Sequence, residues 1–388
     1  MMRLAIITTH PIQYYAPIFK QLTDNGIDCK VFYTWGEGGK KEKFDPDFNK
    51  IVEWDIPLLE GYQYEFCNNS SKNPGTHHFY GIVNPYLIQS IVEFGSTHVL
   101  VFGWNFNSHL KVIRYFKGKI PLWFRGDSTL IDEQEGFSFK SLARKYFLTW
   151  VYQHVDFALY VGQANKAYYK KFGLKEEQLI FAPHAVDNDR FSLISHQQQF
   201  WIEKIKQEFS IQETGITIIF CGKFQDKKNP FLLLEAVKEL SINNLHLIFV
   251  GNGKLESKLK AYQNKNIHFL PFQNQTLMPA VYRLGDIFCL PSQGPGETWG
   301  LAVNEAMACS RAVLVSDKCG CAIDLVEAGE NGYVFESNNI NDLINKIKFM
   351  AVAKGETIKM GNQSQKRIQD WSYEKFVQSL KLLFKSKM

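Results

Sequence analysis

A chain of 388 residues, 45% of them hydrophobic, is long enough for two domains with full cores, and its composition excludes a disordered or low-complexity protein. Its 44 Lys and Arg against 39 Asp and Glu leave a formal charge of only +5, too small to argue for nucleic acid as a partner. Seven cysteines, from Cys29 to Cys321, show no metal-like spacing and fit reduced thiols in a cytosolic protein; Cys319-Gly320-Cys321 is too tight for a zinc pair and lacks a second one.

The N-terminus, Met1-Met2-Arg3-Leu4-Ala5-Ile6-Ile7, holds an apolar stretch too short for a signal peptide and turns at once into a strand and loop. Strands are expected at Leu4 to Thr8, Cys29 to Tyr33, His98 to Phe102, Pro121 to Phe124, Phe157 to Val161 and Leu179 to Ala182. The most apolar region, Tyr146 to Val161, is interrupted by Gln153, His154 and Asp156, so no membrane span is expected. A polar stretch, Ser192 to Gly215, follows. The rhythm then restarts at Thr217 to Cys221, His246 to Val250, Ile267 to Leu270, Ile287 to Leu290, Val313 to Ser316 and Tyr333 to Phe335. Helical spacing fills the gaps at Pro85 to Phe94, Ser108 to Phe116, Pro230 to Leu240 and Leu301 to Ala308. Strands alternating with helices mean an α/β protein with parallel sheets covered on both faces. Two such series mean two doubly wound, Rossmann-like domains, placed here at residues 1–195 and 196–370, with 371–388 as a C-terminal helix expected to pack back toward the first domain.

Ligands of doubly wound sheets gather at the C-terminal ends of strands, so the loops after strands are the places for chemistry. After Thr217 to Cys221 comes Gly222-Lys223-Phe224-Gln225-Asp226-Lys227-Lys228-Asn229-Pro230, where Lys223 and Lys228 flank a helix start and could clamp a diphosphate. Lys227 reads as solvated surface. Gly251-Asn252-Gly253 follows the next strand as a glycine turn, and Pro271-Phe272-Gln273 could seat a base through backbone hydrogen bonds or be a plain strand exit.

The richest loop is Pro291-Ser292-Gln293-Gly294-Pro295-Gly296-Glu297-Thr298-Trp299-Gly300-Leu301, leading into Ala302-Val303-Asn304-Glu305. Thr298 is the expected N-cap, which aims the backbone amides of Trp299, Gly300 and Leu301 at an anion. From Thr298, Glu305 lies about 10 Å along the helix, so the two glutamates address different parts of one extended ligand. A sugar nucleotide fits: diphosphate at the helix start, sugar near Glu297, ribose hydroxyls near Glu305, since carboxylates make strong bonds to O–H donors. The plainer alternative makes Glu297 a complement to the helix dipole and Glu305 solvated surface.

In order, Gly222-Lys223 with Lys228-Asn229, Val250-Gly251-Asn252-Gly253, Pro291-Ser292 with Glu297 and Glu305, and Asn331-Gly332-Tyr333-Val334-Phe335 resemble the retaining glycosyltransferases of family four, also called glycosyl transferases group 1. The resemblance is specific over roughly Gly215 to Glu336 and implies a GT-B fold, two Rossmann-like domains facing a central cleft. It implies that Glu305 binds the ribose, Glu297 the transferred sugar, and Lys223, Lys228 and the amides of Trp299 to Leu301 the diphosphate. It also implies a UDP- or GDP-linked donor with no cofactor and no metal, because the two lysines can replace a divalent cation at the leaving group. Three places depart from the family pattern: Ser310-Arg311-Ala312 stands for a Gly and a Pro, Asp324 for a commoner Glu, and Thr9-His10-Pro11-Ile12-Gln13 for a glycine-rich loop.

The first domain is then expected to serve the acceptor, a glycan or lipid-linked saccharide. Arg125-Gly126-Asp127-Ser128 follows a strand, and Asp127 could orient a hydroxyl or stabilise an oxocarbenium-like centre, or could with Ser128 simply cap the next helix. His10, Gln13, Arg125 and His184 are further acceptor or cleft candidates; His77-His78 reads as surface. The segment from Phe137 to Tyr152 mixes Lys140, Arg144 and Lys145 with large aromatics at helical spacing, which suits an anionic bilayer, and equally a core helix with a basic outer face. The expected location is the cytoplasm, at the inner face of the plasma membrane if that helix touches lipid. A sugar-nucleotide epimerase on the same architecture and a catalytically silent nucleotide-sugar-binding subunit are the competing readings.

Overall fold

The structure, a computed structural model, describes residues 2–36, 42–45, 50–133, 138–240 and 242–385. The chain divides into two compact units: Met1–Lys43, Pro57–Pro183 and Tyr373–Met388 form the first, Phe44–Ile56 and His184–Ser372 the second.

In chain order the strands begin with β1 (Arg3–Thr8) and β2 (Asp28–Tyr33), followed by a two-stranded ribbon, β3 (Glu42–Asp45) and β4 (Lys50–Glu53). Then come β5 (Gln63–Phe66), β6 (His98–Phe102), β7 (Leu122–Arg125), β8 (Phe157–Tyr160) and β9 (Leu179–Phe181). The first unit's sheet runs β5-β2-β1-β6-β7-β8-β9 and is parallel throughout. Covered on both faces, β1 is apolar and buried after its first residue, as the unbroken run Leu4-Ala5-Ile6-Ile7 requires. The sequence reading missed β5 because its residues are mostly exposed at the sheet edge and carry no buried run.

The second unit holds β10 (Ile216–Cys221), β11 (Leu245–Val250), β12 (Ile267–Leu270), β13 (Ile287–Leu290), β14 (Ala312–Ser316) and β15 (Gly332–Phe335), ordered β12-β11-β10-β13-β14-β15 and parallel. Strand order reverses beside β10, the kind of switch point at which open α/β sheets bind ligands.

The boundary between the units lies at 183/184, not at 195/196. Residues after Pro183 are tied into the second unit: the Asn188 amide donates to the carbonyls of Ile368 (3.1 Å) and Trp371 (3.3 Å). Polarity of the stretch after Ser192 marked a surface helix, His196–Glu208, and not the crossing itself. The C-terminal helix Tyr373–Lys385 packs in the first unit, where Ser379 Oγ donates to the Phe181 carbonyl at 2.6 Å and the Phe384 ring lies 4.8 Å from that of Trp123.

The helix Phe139–Tyr152 starts at a capping box on Ser138 and buries Leu148, Val151 and Tyr152. Its aromatics Phe139, Tyr146, Phe147 and Trp150 stay exposed, so they are not core, and the core-helix alternative fails for them. Phe137, at the start of that segment, lies outside the described residues. Arg144 is engaged, pairing with Glu133 and donating to the Tyr168 hydroxyl at 3.2 Å. No helix among the described residues is long and apolar enough to cross a membrane, and the seven cysteines are buried and free.

Candidate functional site

Strands β10 and β13 are neighbours, so the loops leaving their C-terminal ends meet. After β10, the turn Asp226–Lys228 is stitched to the loop after β13: Gln293 N donates to the Lys227 carbonyl at 2.9 Å and Gln293 Nε2 to the Asp226 carbonyl at 2.7 Å. These bonds carry Lys228 Nζ onto Glu297 Oε2, which also accepts from Ser292 Oγ at 2.9 Å. The side chains of Lys228 and Glu297 are 18% and 9% exposed, so the pair sits in a medium where charge interactions are stronger than in water. Lys227 is exposed, as expected.

A third loop fixes the backbone of Glu297. Gly320 N donates to the Glu297 carbonyl and Cys321 N to that of Trp299, both at 3.0 Å. A Cβ on Gly320 would stand 1.7 Å from the Thr298 carbonyl oxygen, so this close approach admits only glycine. Cys319-Gly320-Cys321 therefore shapes the carboxylate loop; among the described residues no group of three or more His, Cys, Asp or Glu could hold an ion.

The helix begins later than expected. Its N-cap is Gly300, at φ +101°, and the helix runs Leu301–Ala308; Thr298 stands two residues outside it. The amides with no intrahelical acceptor are thus those that open at Leu301, while Val303 N already returns to the Gly300 carbonyl at 2.8 Å. Thr298 was a good cap by residue type, but the chain enters the helix through a left-handed residue 300, a conformation glycine adopts without steric cost. The Trp299 indole donates to Asn304 Oδ1 at 2.8 Å, and Asn304 Nδ2 donates to the His184 carbonyl at 3.0 Å. His184, an acceptor or cleft candidate, belongs to the second unit, its ring 5.8 Å from that of Trp299.

Glu305 is 3% exposed and accepts from the Tyr282 hydroxyl at 2.6 Å, which removes the alternative of a solvated glutamate. Lys223 is half-buried directly after Gly222, and a Cβ on Gly251 would meet the Gly222 carbonyl oxygen at 2.1 Å, so those two loops touch through their glycines. The Phe272 amide donates to Asn252 Oδ1 at 2.8 Å, so that one donor of the loop is already engaged. Tyr282, Ser292 and Gly320 are the site residues that sequence reasoning missed. Tyr282 could not be read at all, because it stands 23 residues from its glutamate; Ser292, inside the quoted motif, was the one with a signal.

In the first unit, Arg125 is 1% exposed and braces the exit of β9, donating to the carbonyls of Ala182 (2.7 Å) and Pro183 (3.1 Å), with its guanidinium 4.9 Å from the Phe376 ring. It holds backbone together and is not a ligand-facing cation. Asp127 is half-buried in the loop after β7, and since Ser138 caps the next helix, the capping alternative for Asp127 and Ser128 falls. His10, with Nδ1 3.0 Å from Thr9 Oγ1, and Gln13 are half-buried after β1. His78 is tied to the Asn73 carbonyl at 2.9 Å in an exposed loop.

Residues 202–367 match the family described as glycosyl transferases group 1. The matched stretch lies within the second unit. Over 172 residues the chain is 27% identical to an uncharacterised glycosyltransferase of Methanocaldococcus jannaschii, covering 43% of this chain and 47% of the relative. Over 173 residues it is 25% identical to the D-inositol 3-phosphate glycosyltransferase of Rhodococcus erythropolis, covering 41% and 38%. The chain spans about half or less of the length of these curated relatives. Its full length aligns with all of HepE of Anabaena, solved in complex with UDP and glucose, at a TM-score of 0.71 and 17% identity. At that identity the likeness speaks for the fold, which is GT-B with two Rossmann-like domains. Lys228, Glu297 and Glu305 all lie within the matched residues.

Proposed function

We propose that the chain is a retaining glycosyltransferase that takes its sugar from a UDP- or GDP-linked donor. One observation carries this reading: Glu297 is held by Lys228 and Ser292 beside the start of the helix Leu301–Ala308, while Glu305 is buried on that helix against Tyr282. An anion at the helix start, next to Lys223 and Lys228, suits a diphosphate whose negative charge grows as the sugar departs. The lysines supply that charge compensation without a metal. Glu305 accepts ribose hydroxyls and Glu297 a sugar hydroxyl. HepE, a protein of the same fold, was solved with UDP, which supports a nucleotide-linked donor.

The first unit is assigned the acceptor, a glycan or lipid-linked saccharide of cell-surface polysaccharide or glycoconjugate synthesis, with Asp127, His10 and Gln13 in loops after its strands. Exposed Phe139, Tyr146, Phe147 and Trp150 with Lys140 and Lys145 support peripheral contact with an anionic membrane at its cytoplasmic face. Incubation with a panel of UDP- and GDP-sugars in the presence of a chelator tests the proposal. Transfer or slow donor hydrolysis is expected, with the anomeric configuration kept in the product. An isomerised donor would make the protein an epimerase, binding without turnover a silent subunit, and no interaction with any nucleotide would overturn the donor site altogether.

A further inference from the structure

The residues around the end of β4 lie on the loop that follows β12, and three side chains fasten them there. Asn274 Nδ2 donates to the Glu53 carbonyl, Thr276 N donates to the two Asp55 carboxylate oxygens at 3.2 and 3.1 Å, and Thr276 Oγ1 donates to the same carboxylate. Between these anchors the Trp54 ring stands 6.5 Å from that of Phe272, the planes 66° apart, and both rings are half-buried. On its other side the loop is gripped by Arg190, whose guanidinium donates to the carbonyl of Gln275 and to its Oε1, the latter at 2.8 Å.

We propose that Trp54 is a nucleobase-binding residue, the outer aromatic wall of the pocket that takes the base of the nucleoside diphosphate; this rests on the donor reading above. Three observations support it. The Phe272 loop leaves the same C-terminal sheet edge as Gly222 and Gly251, two strands out from the lysines, so an extended ligand with its diphosphate at β10 has roughly 10 Å in which to bring its base to β12. The Phe272 amide is engaged by Asn252, and the Phe272 ring beside Trp54 gives this loop aromatic surface that a planar base can meet. Finally, an edge-to-face pair that is half-buried, pinned by polar bonds on both flanks and outside the packed core, holds Trp54 in place while leaving aromatic surface at the site.

The test is titration calorimetry of the full chain and of Trp54→Ala and Trp54→Phe with UDP, and with inorganic pyrophosphate, which has no base, read by competition against UDP. Stacking on an aromatic side chain predicts that Trp54→Ala loses roughly tenfold in UDP affinity, that Trp54→Phe keeps most of it, and that pyrophosphate affinity is unchanged. If Trp54→Ala fails to fold, Trp54→Leu serves with the same expectation. UDP affinity equal to that of the parent, or equal losses for UDP and pyrophosphate, overturns the role of Trp54 alone. A parent protein that binds no nucleoside diphosphate overturns the donor reading and this inference with it.

Discussion

Lys228 and Glu297, 69 residues apart, form an ion pair whose accepting oxygen, Glu297 Oε2, is shared with the hydroxyl of Ser292 at 2.9 Å. The pair joins the loop after β10 to the loop after β13. Removing either partner leaves a mostly buried charge without its counterion, which costs more than removing both.

A double-mutant cycle on Lys228→Ala and Glu297→Ala is therefore expected to be non-additive, with a coupling of about 1–3 kcal/mol in urea unfolding. Turnover is expected to fall steeply in both single variants, and in Lys223→Ala, since the ammonium groups matter most as the diphosphate leaves. Strictly additive stabilities would dissolve the pair as a structural unit. Parental turnover in the lysine variants would return both lysines to the surface.

Glu305→Ala is expected to lose roughly 1.5–3 kcal/mol of nucleoside-diphosphate affinity, the range for hydrogen bonds to a charged group. Tyr282→Phe, which removes the hydroxyl that donates to Glu305 Oε2 at 2.6 Å, is expected to lose about 0.5–1.5 kcal/mol by leaving that carboxylate less well oriented. Calorimetry on folded variants decides. Unchanged affinity in Glu305→Ala would remove it from the ribose.

His109 provides a pH signature in the first unit. Its Nδ1 lies 3.0 and 3.1 Å from the carbonyl oxygens of Phe102 and Gly103, so it carries the proton, and Nε2 faces Thr34 Oγ1 at 2.8 Å. Burial pushes its pKa down from 6.5 to about 4. Between those values the unfolded chain binds a proton that the folded protein refuses, so stability is full above pH 6.5 and is lost on acidification, by up to about 1.4 kcal/mol per pH unit. His109→Gln is expected to flatten that part of the profile in urea unfolding at pH 7, 6 and 5. Parallel profiles for parent and variant would contradict it.

Membrane contact predicts that the parent protein sediments with acidic vesicles at low salt, and that Lys140→Gln with Lys145→Gln weakens this by about 1 kcal/mol per residue. Arg144 is left intact because it is paired with Glu133. Donor binding should not change. A parent protein that stays in the supernatant, or binding indifferent to salt and to the substitutions, would leave the exposed aromatics without a membrane role.

The sequence by itself determined the two series of parallel strands, because each central strand is covered on both faces and must be written as an unbroken apolar run. It also determined the candidate donor loops: glycines, lysines and glutamates at strand ends are local signals, and Gly222, Lys228, Glu297 and Glu305 are legible in order along the chain. Tertiary structure alone decided what those side chains touch. Tyr282 reaches Glu305 across 23 residues, Lys228 reaches Glu297 across 69, and Thr276 meets Asp55 across 221. No periodicity encodes such pairs, because they follow from which strands lie side by side in the sheet. The same limit explains the corrections. Thr298 is a better cap than Gly300 by residue type, and Arg125 beside Asp127 reads as a site cation, until packing places a left-handed turn at Gly300 and two backbone carbonyls in front of the guanidinium.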